Sequence, residues 1–269
     1  MLRLIVFTDL DGTLLDHHTY DYTPALPALE RLSRADAPLV MVSSKTRLEI
    51  EHLRQELHND DPFVPENGGA ICIPGSYDLP IPGNSVKIGT YHVVLLGKTA
   101  AEISPLFDRL AEKFPVRALS RMTAVDVARL TGLTIDQAET ARNREFGEAF
   151  LLDDPQIPET DLAKAVTDLG LRLTRGGRFY HLLGDNDKGK AVTLLTDMFR
   201  KKWGNVTTAG IGDAPNDLPL LAAVDHPFLV AGPDGTHREI ALPGLTRVNR
   251  PGPTGFNQAV NDVLDRMEA

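Results

Sequence analysis

Four aspartates carry the first indication of chemistry in this chain. Asp9 and Asp11 stand two apart in Asp9-Leu10-Asp11-Gly12-Thr13, straight after the apolar run Leu4–Phe7. With one residue between them, both carboxylates reach the same side of an extended turn, a spacing that suits sharing a hard cation. Like charges this close repel, so a cation is needed to keep both ionised at neutral pH. Asp213 and Asp217, with Asn216 between them, follow a second apolar run, Val206–Ile211. Oxygen ligands drawn from two turns, with positions left for water, describe a magnesium site better than an all-protein calcium cage. Either turn alone reads as well as an acidic helix cap. Two of them at the ends of buried strands point to a site.

For those turns to meet, the elements before them must lie side by side. Leu4–Phe7 reads as a buried strand, and Thr23-Pro24 as a helix start with Thr23 at the N-cap and Leu26, Leu29 and Leu32 at helical spacing. Pro38–Val42 is a second apolar strand that runs into Ser43-Ser44-Lys45; a polar helix to about Leu57 follows, then Phe63-Val64 and Glu66-Asn67-Gly68-Gly69. Strand, crossover helix and parallel strand predict an α/β fold with a doubly wound, mostly parallel sheet. Ligands bind such sheets outside the carboxyl ends of the strands, so the turns after Phe7 and Val42 fall at one edge and Asp213 lands beside Asp9.

Between about Pro80 and Gly184 the rhythm changes. Val86–Ile88, Tyr91–Leu96, Leu171–Leu173 and Arg178–Leu183 read as strands, and Ala100–Phe114 and Thr134–Arg144 as helices. The expectation is an inserted α+β cap domain over 81–184, with 1–80 and 185–269 forming the catalytic core. From Lys188 the doubly wound pattern resumes, with a helix over Gly189–Lys202 and the strand Val206–Ile211.

Composition narrows the partners. A net charge of −9 argues against broad binding to nucleic acid or to anionic membranes, and a phosphate ligand then needs a cation or a few placed Lys and Arg side chains. Cys72 is the only cysteine, in the apolar string Ala70-Ile71-Cys72-Ile73, so no intrachain disulfide can form and it reads as a small buried hydrophobe. No apolar run is long enough to cross a bilayer, and the first apolar stretch is too short for a signal peptide. The expectation is a cytoplasmic enzyme, monomeric or homodimeric, acting on a small molecule.

Taken in order, the motifs resemble the haloacid dehalogenase superfamily. Asp9-Leu10-Asp11-Gly12-Thr13 is similar to its first motif, Ser43 to its second, Lys188 in Asp187-Lys188-Gly189-Lys190-Ala191 to its third, and Gly212-Asp213-Ala214-Pro215-Asn216-Asp217 to its fourth. The resemblance implies a phosphatase that uses Mg²⁺. Asp9 would be the nucleophile, and Asp11 the general acid and then base. Ser43 would hold phosphoryl oxygens and Lys188 neutralise their charge, with Asp213 ligating the metal and Asp217 in support; the metal set is then Asp9, Asp11, Asp213 and Asp217. A competing motif, Gly184-Asp185-Asn186-Asp187-Lys188-Gly189-Lys190, matches the phosphate-binding loop of nucleotide hydrolases, but Ala191 stands where the magnesium-binding Ser or Thr belongs.

Ser43-Ser44-Lys45-Thr46-Arg47, Glu66-Asn67-Gly68-Gly69 and Arg142-Asn143-Arg144-Glu145-Phe146 narrow the resemblance to the mannosyl-3-phosphoglycerate phosphatase family, whose product is the compatible solute mannosylglycerate. A substrate with carboxylate, phosphate and sugar calls for cationic side chains, and Lys45, Arg142, Arg144, Arg175 and Arg178 are the candidates, with Ser44, Asn67 and Gly68 also expected to bind substrate. His181 is expected to pack in or beside a strand, and Glu148 either accepts sugar hydroxyls or is solvated. The alternatives are a broader sugar-phosphate phosphatase, a phosphohexomutase-like phosphotransferase on the same core, and a non-enzymatic sensor of phosphorylated ligands.

Overall fold

The computed structural model describes residues 3–268. Strands β1 (Arg3–Thr8) and β2 (Leu39–Val42) flank helix α1 (Leu26–Arg34), and α2 (Arg47–Glu56) leads to β3 (Phe63–Val64), β4 (Ala70–Pro74), β5 (Val86–Ile88) and β6 (Tyr91–Leu95). Then come α3 (Ala100–Ala111), β7 (Val116–Ala118), α4 (Ala124–Thr131), α5 (Ile135–Arg142), β8 (Glu148–Leu152), α6 (Glu159–Asp168), β9 (Arg172–Gly176) and β10 (Phe179–Leu183). The chain closes with α7 (Lys188–Trp203), β11 (Val206–Gly212), α8 (Leu218–Ala222), β12 (His226–Ala231), β13 (Thr246–Pro251) and α9 (Gly252–Glu268).

These strands form a nine-stranded sheet in the order β13-β12-β11-β1-β2-β3-β4-β6-β5 and a four-stranded sheet in the order β7-β8-β10-β9. From β13 to β3 the pairs are parallel, as expected of the doubly wound pattern, and β4, β6 and β5 extend the sheet antiparallel. The central strands are buried on both faces, which is why Leu4-Ile5-Val6-Phe7 is a continuous apolar run rather than an alternating one. Each such side chain contributes roughly 1.5–3 kcal/mol by leaving water.

Two expectations are corrected. The strands read at 86–88 and 91–96 exist, but Ile73 pairs with His92 and Val86 with Val93, so they belong to the nine-stranded sheet. The second sheet and its helices therefore run from Ala100 to Leu183, not from residue 81. Nor is Thr23 an N-cap. Residues Thr23–Ala25 form a 3₁₀ turn because Pro27 has no N–H to return to Thr23, and Asp21 Oδ1 accepts the Thr23 N–H at 3.0 Å. Among the described residues no helix is long and apolar enough to cross a membrane.

Caps fix where the helices begin. Thr46 opens α2, Thr99 α3 and Thr134 α5, each with a reciprocal bond to a Glu or Gln three residues on. Asp187 opens α7 by accepting the Lys190 N–H at 2.8 Å, which sets Lys188 in the first turn facing the sheet. Cys72 is fully buried in the core between the sheet and the α1–α9 layer.

Candidate active site

The carboxyl ends of β1, β2 and β11 lie at one edge of the large sheet, and the loops that leave them converge there. Asp9 follows β1, anchored by its N–H to Ile211 O at 2.9 Å, and is 6% exposed. Lys188, 1% exposed, sends Nζ between Asp9 Oδ1 and Asp217 Oδ1, at 2.6 Å from each. Asp217 in turn accepts the N–H groups of Asp213 and Ala214 at 3.1 Å, so one carboxylate both holds the lysine and shapes the last loop. Thr13 donates to Asp213 Oδ1 at 3.2 Å. A Cβ on Gly12 would come within 2.7 Å of Asp213 Oδ2, and its φ of +83° lies in the left-handed region, so only glycine lets the two loops touch.

Oxygens of Asp9, Asp213 and Asp217 lie within 4.8 Å of one another. Burial, and Asp217 beside it, push Asp9 up to about 7 against the pull of Lys188. Burial and the same neighbouring carboxylates hold Asp213 well above the ordinary range. Burial alone would lower Lys188, but Asp217 and Asp9 outweigh it and keep the ammonium charged. Three carboxylates against one lysine leave negative charge uncompensated in a buried place. A divalent hard cation relieves that, and an all-oxygen donor set is the chemistry it prefers.

The Asp11 carboxylate stands apart from these three. It lies 3.0 Å from Lys45 Nζ. The chain curls back after Leu10, with Leu15 N–H on Leu10 O and Gly12 N–H on Leu15 O, and this turns the Asp11 side chain toward Lys45 instead of continuing an extended strand. Lys45 also reaches Glu49 at 3.7 Å and sits 4.9 Å over the Tyr20 ring; burial works against its charge, and Asp11 and Glu49 more than restore it.

A cavity of about 200 Å³ opens between this edge and the four-stranded sheet. Asp9, Asp11, Ser44, Lys45, Asp213 and Asn216 line its floor, and Arg144, Arg178 and His181 its roof. Of the predicted cations, Arg142 and Arg175 are not among the lining residues. Arg142 pairs with Glu139 at 2.7 Å and reaches the Ser120 carbonyl, while Arg175 pairs with Glu159 at 3.5 Å and lies 4.9 Å over the Tyr180 ring. On β9 Arg175 faces away from the cavity because strand side chains alternate, and sequence spacing could not say which face was inward.

Ser43 is fully buried at the end of β2; its carbonyl accepts the Asn67 N–H at 2.8 Å and its Oγ the Lys45 N–H at 3.2 Å. Asn67 is buried with neither amide atom bonded among the described residues, and lines a separate cavity of about 100 Å³ with Lys188 and Asn216. Gly68 is a packing glycine and lies outside the lining of the main cavity. A Cβ there would meet Asp187 O at 2.1 Å, and φ is +86°. Its smallness lets the turn press against the start of α7 and so places Lys188.

Glu66, read only as part of a motif, is the hinge of the site. Its buried carboxylate accepts the N–H groups of Glu145 at 2.7 Å and Phe146 at 3.2 Å and pairs with Arg144 at 3.3 Å. Arg144 then donates to Ser44 O at 3.1 Å, and Arg47 grips Glu145 through two bonds at 2.7 and 2.9 Å. Tyr20 and His181 also line the cavity, and no motif in the sequence marks either of them. Glu148 is taken up by Ser120 rather than by the cavity. The phosphate-loop alternative also fails on geometry: Gly184 packs on Lys98, and Lys190 is exposed and paired with Asp185 at 2.7 Å.

A family model described as haloacid dehalogenase-like hydrolase matches residues 6–79, which include Asp9, Asp11 and Ser43. Full-length relatives extend the match. The chain is 40% identical to a glucosyl-3-phosphoglycerate/mannosyl-3-phosphoglycerate phosphatase of Methanococcoides burtonii, over 98% of each chain. The chain belongs to the haloacid dehalogenase-like hydrolases. A phosphatase of the same name from Persephonella marina is 37% identical, again over 98% of each chain. Among solved structures of the fold, a protein of Thermoplasma acidophilum superposes with a TM-score of 0.69 at 17% identity, covering 100% of this chain and 99% of its own. That likeness concerns the fold. Within the hydrolase family, the named relatives of this chain are phosphatases.

Proposed function

We propose that the protein hydrolyses a glycosyl-3-phosphoglycerate, with glucosyl or mannosyl as the sugar, to the glycosylglycerate and phosphate through a phospho-aspartate on Asp9. The supporting observation is the buried triangle of Asp9, Lys188 and Asp217, which holds a carboxylate oxygen at the cavity floor and a positive charge beside it. The relatives' names widen the mannosyl expectation to either sugar.

In this reading Asp9 attacks phosphorus in line while the glycerate oxygen leaves, dividing one hard step into two. Asp11, in the cavity lining, gives the departing alkoxide its proton and later takes one from the water that cleaves the acyl phosphate. Lys188 offsets phosphoryl charge, and Ser43 with the amides of the first turn holds phosphoryl oxygens. Asp9 and Asp213, with Asp217 behind them, would hold Mg²⁺, which when bound screens phosphate from the carboxylates. Lys45, Arg144 and Arg178 give the glycerate carboxylate cationic partners that the acidic surface lacks. The four-stranded unit over the cavity acts as a cap that excludes bulk water, between a core of roughly 1–97 and 185–269. A small ester as substrate, magnesium as cofactor and the cytoplasm as location complete the reading.

The test is phosphate release from glucosyl- and mannosyl-3-phosphoglycerate against glucose 6-phosphate, mannose 6-phosphate and 3-phosphoglycerate, with Mg²⁺ and with EDTA. Metal-dependent preference for the first two is expected. Equal rates on all five would leave a broad phosphatase, and transfer of the phosphoryl group between hydroxyls without free phosphate would mark a mutase.

A further inference from the structure

His181 is a cavity-facing group for which the chemistry above has no use. It stands on β10 opposite Ala149 of β8, and both line the cavity roof. The side chain is 5% exposed, and its Nδ1 has no hydrogen-bond partner among the described residues. Gly176 approaches the ring on its Nε2 side: a Cβ there would lie 3.6 Å from His181 Nε2, with Asn216 Nδ2 at 3.5 Å and Ser44 Oγ at 3.9 Å. Burial first, then the neighbouring charges of Arg144 and Lys188, hold the imidazole well below its ordinary range and therefore neutral. A neutral imidazole offers one donor and one acceptor. Phosphate and carboxylate offer only acceptors and are served by Lys188, Arg144 and Arg178; a hydroxyl gives and takes, and matches the ring. Nδ1 is closed off from the cavity, so the nitrogen that meets a ligand hydroxyl is Nε2, on the side of Gly176, and a ligand that bonds it is favoured over one that covers it without a bond.

We propose that His181 is a specificity-determining residue that binds a hydroxyl of the non-phosphorylated part of the substrate, so that the cap selects hydroxyl-rich phosphate esters over those without hydroxyls. The proposal deepens the glycosyl-3-phosphoglycerate reading and rests on it. Discrimination of this kind is larger than that available from apolar fit, because a ligand without the hydroxyl covers the ring nitrogen and leaves it unpaired.

The experiment compares wild type, His181→Leu and His181→Gln on mannosyl- and glucosyl-3-phosphoglycerate and on p-nitrophenyl phosphate, whose leaving group has no aliphatic hydroxyl. His181→Leu is expected to lower kcat/KM for the glycosyl esters at least tenfold, mostly through KM, and to change that for p-nitrophenyl phosphate less than about threefold. His181→Gln, which restores a donor and an acceptor, is expected to recover part of the loss. Equal losses on both substrate types would overturn the proposal, as would an unchanged rate on the glycosyl esters; thermal melts identify a loss that comes from unfolding. If wild type shows no preference for glycosyl-3-phosphoglycerates, the substrate reading has failed, and the same comparison is made with mannose 6-phosphate in their place. Selectivity lost in His181→Leu then supports the role of His181, and selectivity retained overturns it.

Discussion

The floor and the roof of the cavity are built on opposite principles. On the floor, Lys188, Asp9 and Asp217 satisfy one another within 2.6 Å, and Gly12 lets Asp213 join them. On the roof, His181 keeps a nitrogen unbonded, and Arg178 stands in the lining beside it. A floor whose groups are fixed by each other performs the same phosphoryl chemistry whatever leaves. A roof with open hydrogen-bonding capacity is where a particular leaving group can be recognised. Arg144 joins the two, since it lines the roof while Glu66 and Ser44 of the core hold it.

Floor changes should therefore depress all substrates alike, and roof changes should separate them. Lys188→Met is expected to have the largest effect, about 10³-fold or more in kcat on every ester. It should also lower stability near neutral pH by about 3 kcal/mol, since two buried carboxylates lose their counter-charge, with the loss shrinking as acid protonates them. A loss confined to glycosyl esters would break the comparison. Gly68→Ala comes next. The added methyl must displace the start of α7 from a left-handed turn, at a cost of about 2–5 kcal/mol in denaturant melts, with activity falling equally on all substrates as Lys188 shifts. Unchanged stability would show that the turn and α7 are not packed as described.

Arg144→Ala should raise KM for glycosyl-3-phosphoglycerate about 10- to 100-fold while p-nitrophenyl phosphate is affected less than about threefold. Parallel losses would move Arg144 to the floor. A smaller effect follows from titration. Asp9 is pushed from 3.8 up to about 7, so the folded state holds a proton that the unfolded chain has released between those values. Without metal, the stability this lends is complete below about pH 4 and is lost as pH rises through about 7. Magnesium favours the charged form and should oppose the loss, so melting curves in EDTA and in Mg²⁺ should diverge from about pH 5 to about pH 8; parallel curves would contradict a metal at Asp9. Arg175→Ala should be smallest, below about twofold on any substrate and within about 1 kcal/mol of stability, because its ion pair is half exposed.

The floor was legible because its residues stand in turns directly after apolar runs, where topology alone brings Asp9, Ser43 and Asp213 to one edge. Lys188 was legible only by its place between the other motifs. The roof was not, for reasons of geometry. Alternation along β9 and β10 says that Arg175 and His181 have faces, but the choice of face comes from pairing with β8, and the short run Glu148–Leu152 carries too little pattern to announce that strand. Likewise Val86–Ile88 and Tyr91–Leu95 were recognisable as strands, yet a period of two carries no information about which sheet accepts them. Asp11 shows the limit inside a motif: spacing placed its carboxylate with Asp9, and the curl from Leu10 to Leu15 gave it to Lys45.

The central claim is that Asp9 is the attacking group. It is tested most directly by phosphate release from glycosyl-3-phosphoglycerate by Asp9→Asn, with mass spectrometry excluding deamidation back to Asp. A fall of about 10⁴-fold or more with the fold intact is expected. Release at the wild-type rate would contradict the account, whatever the roof is then found to recognise.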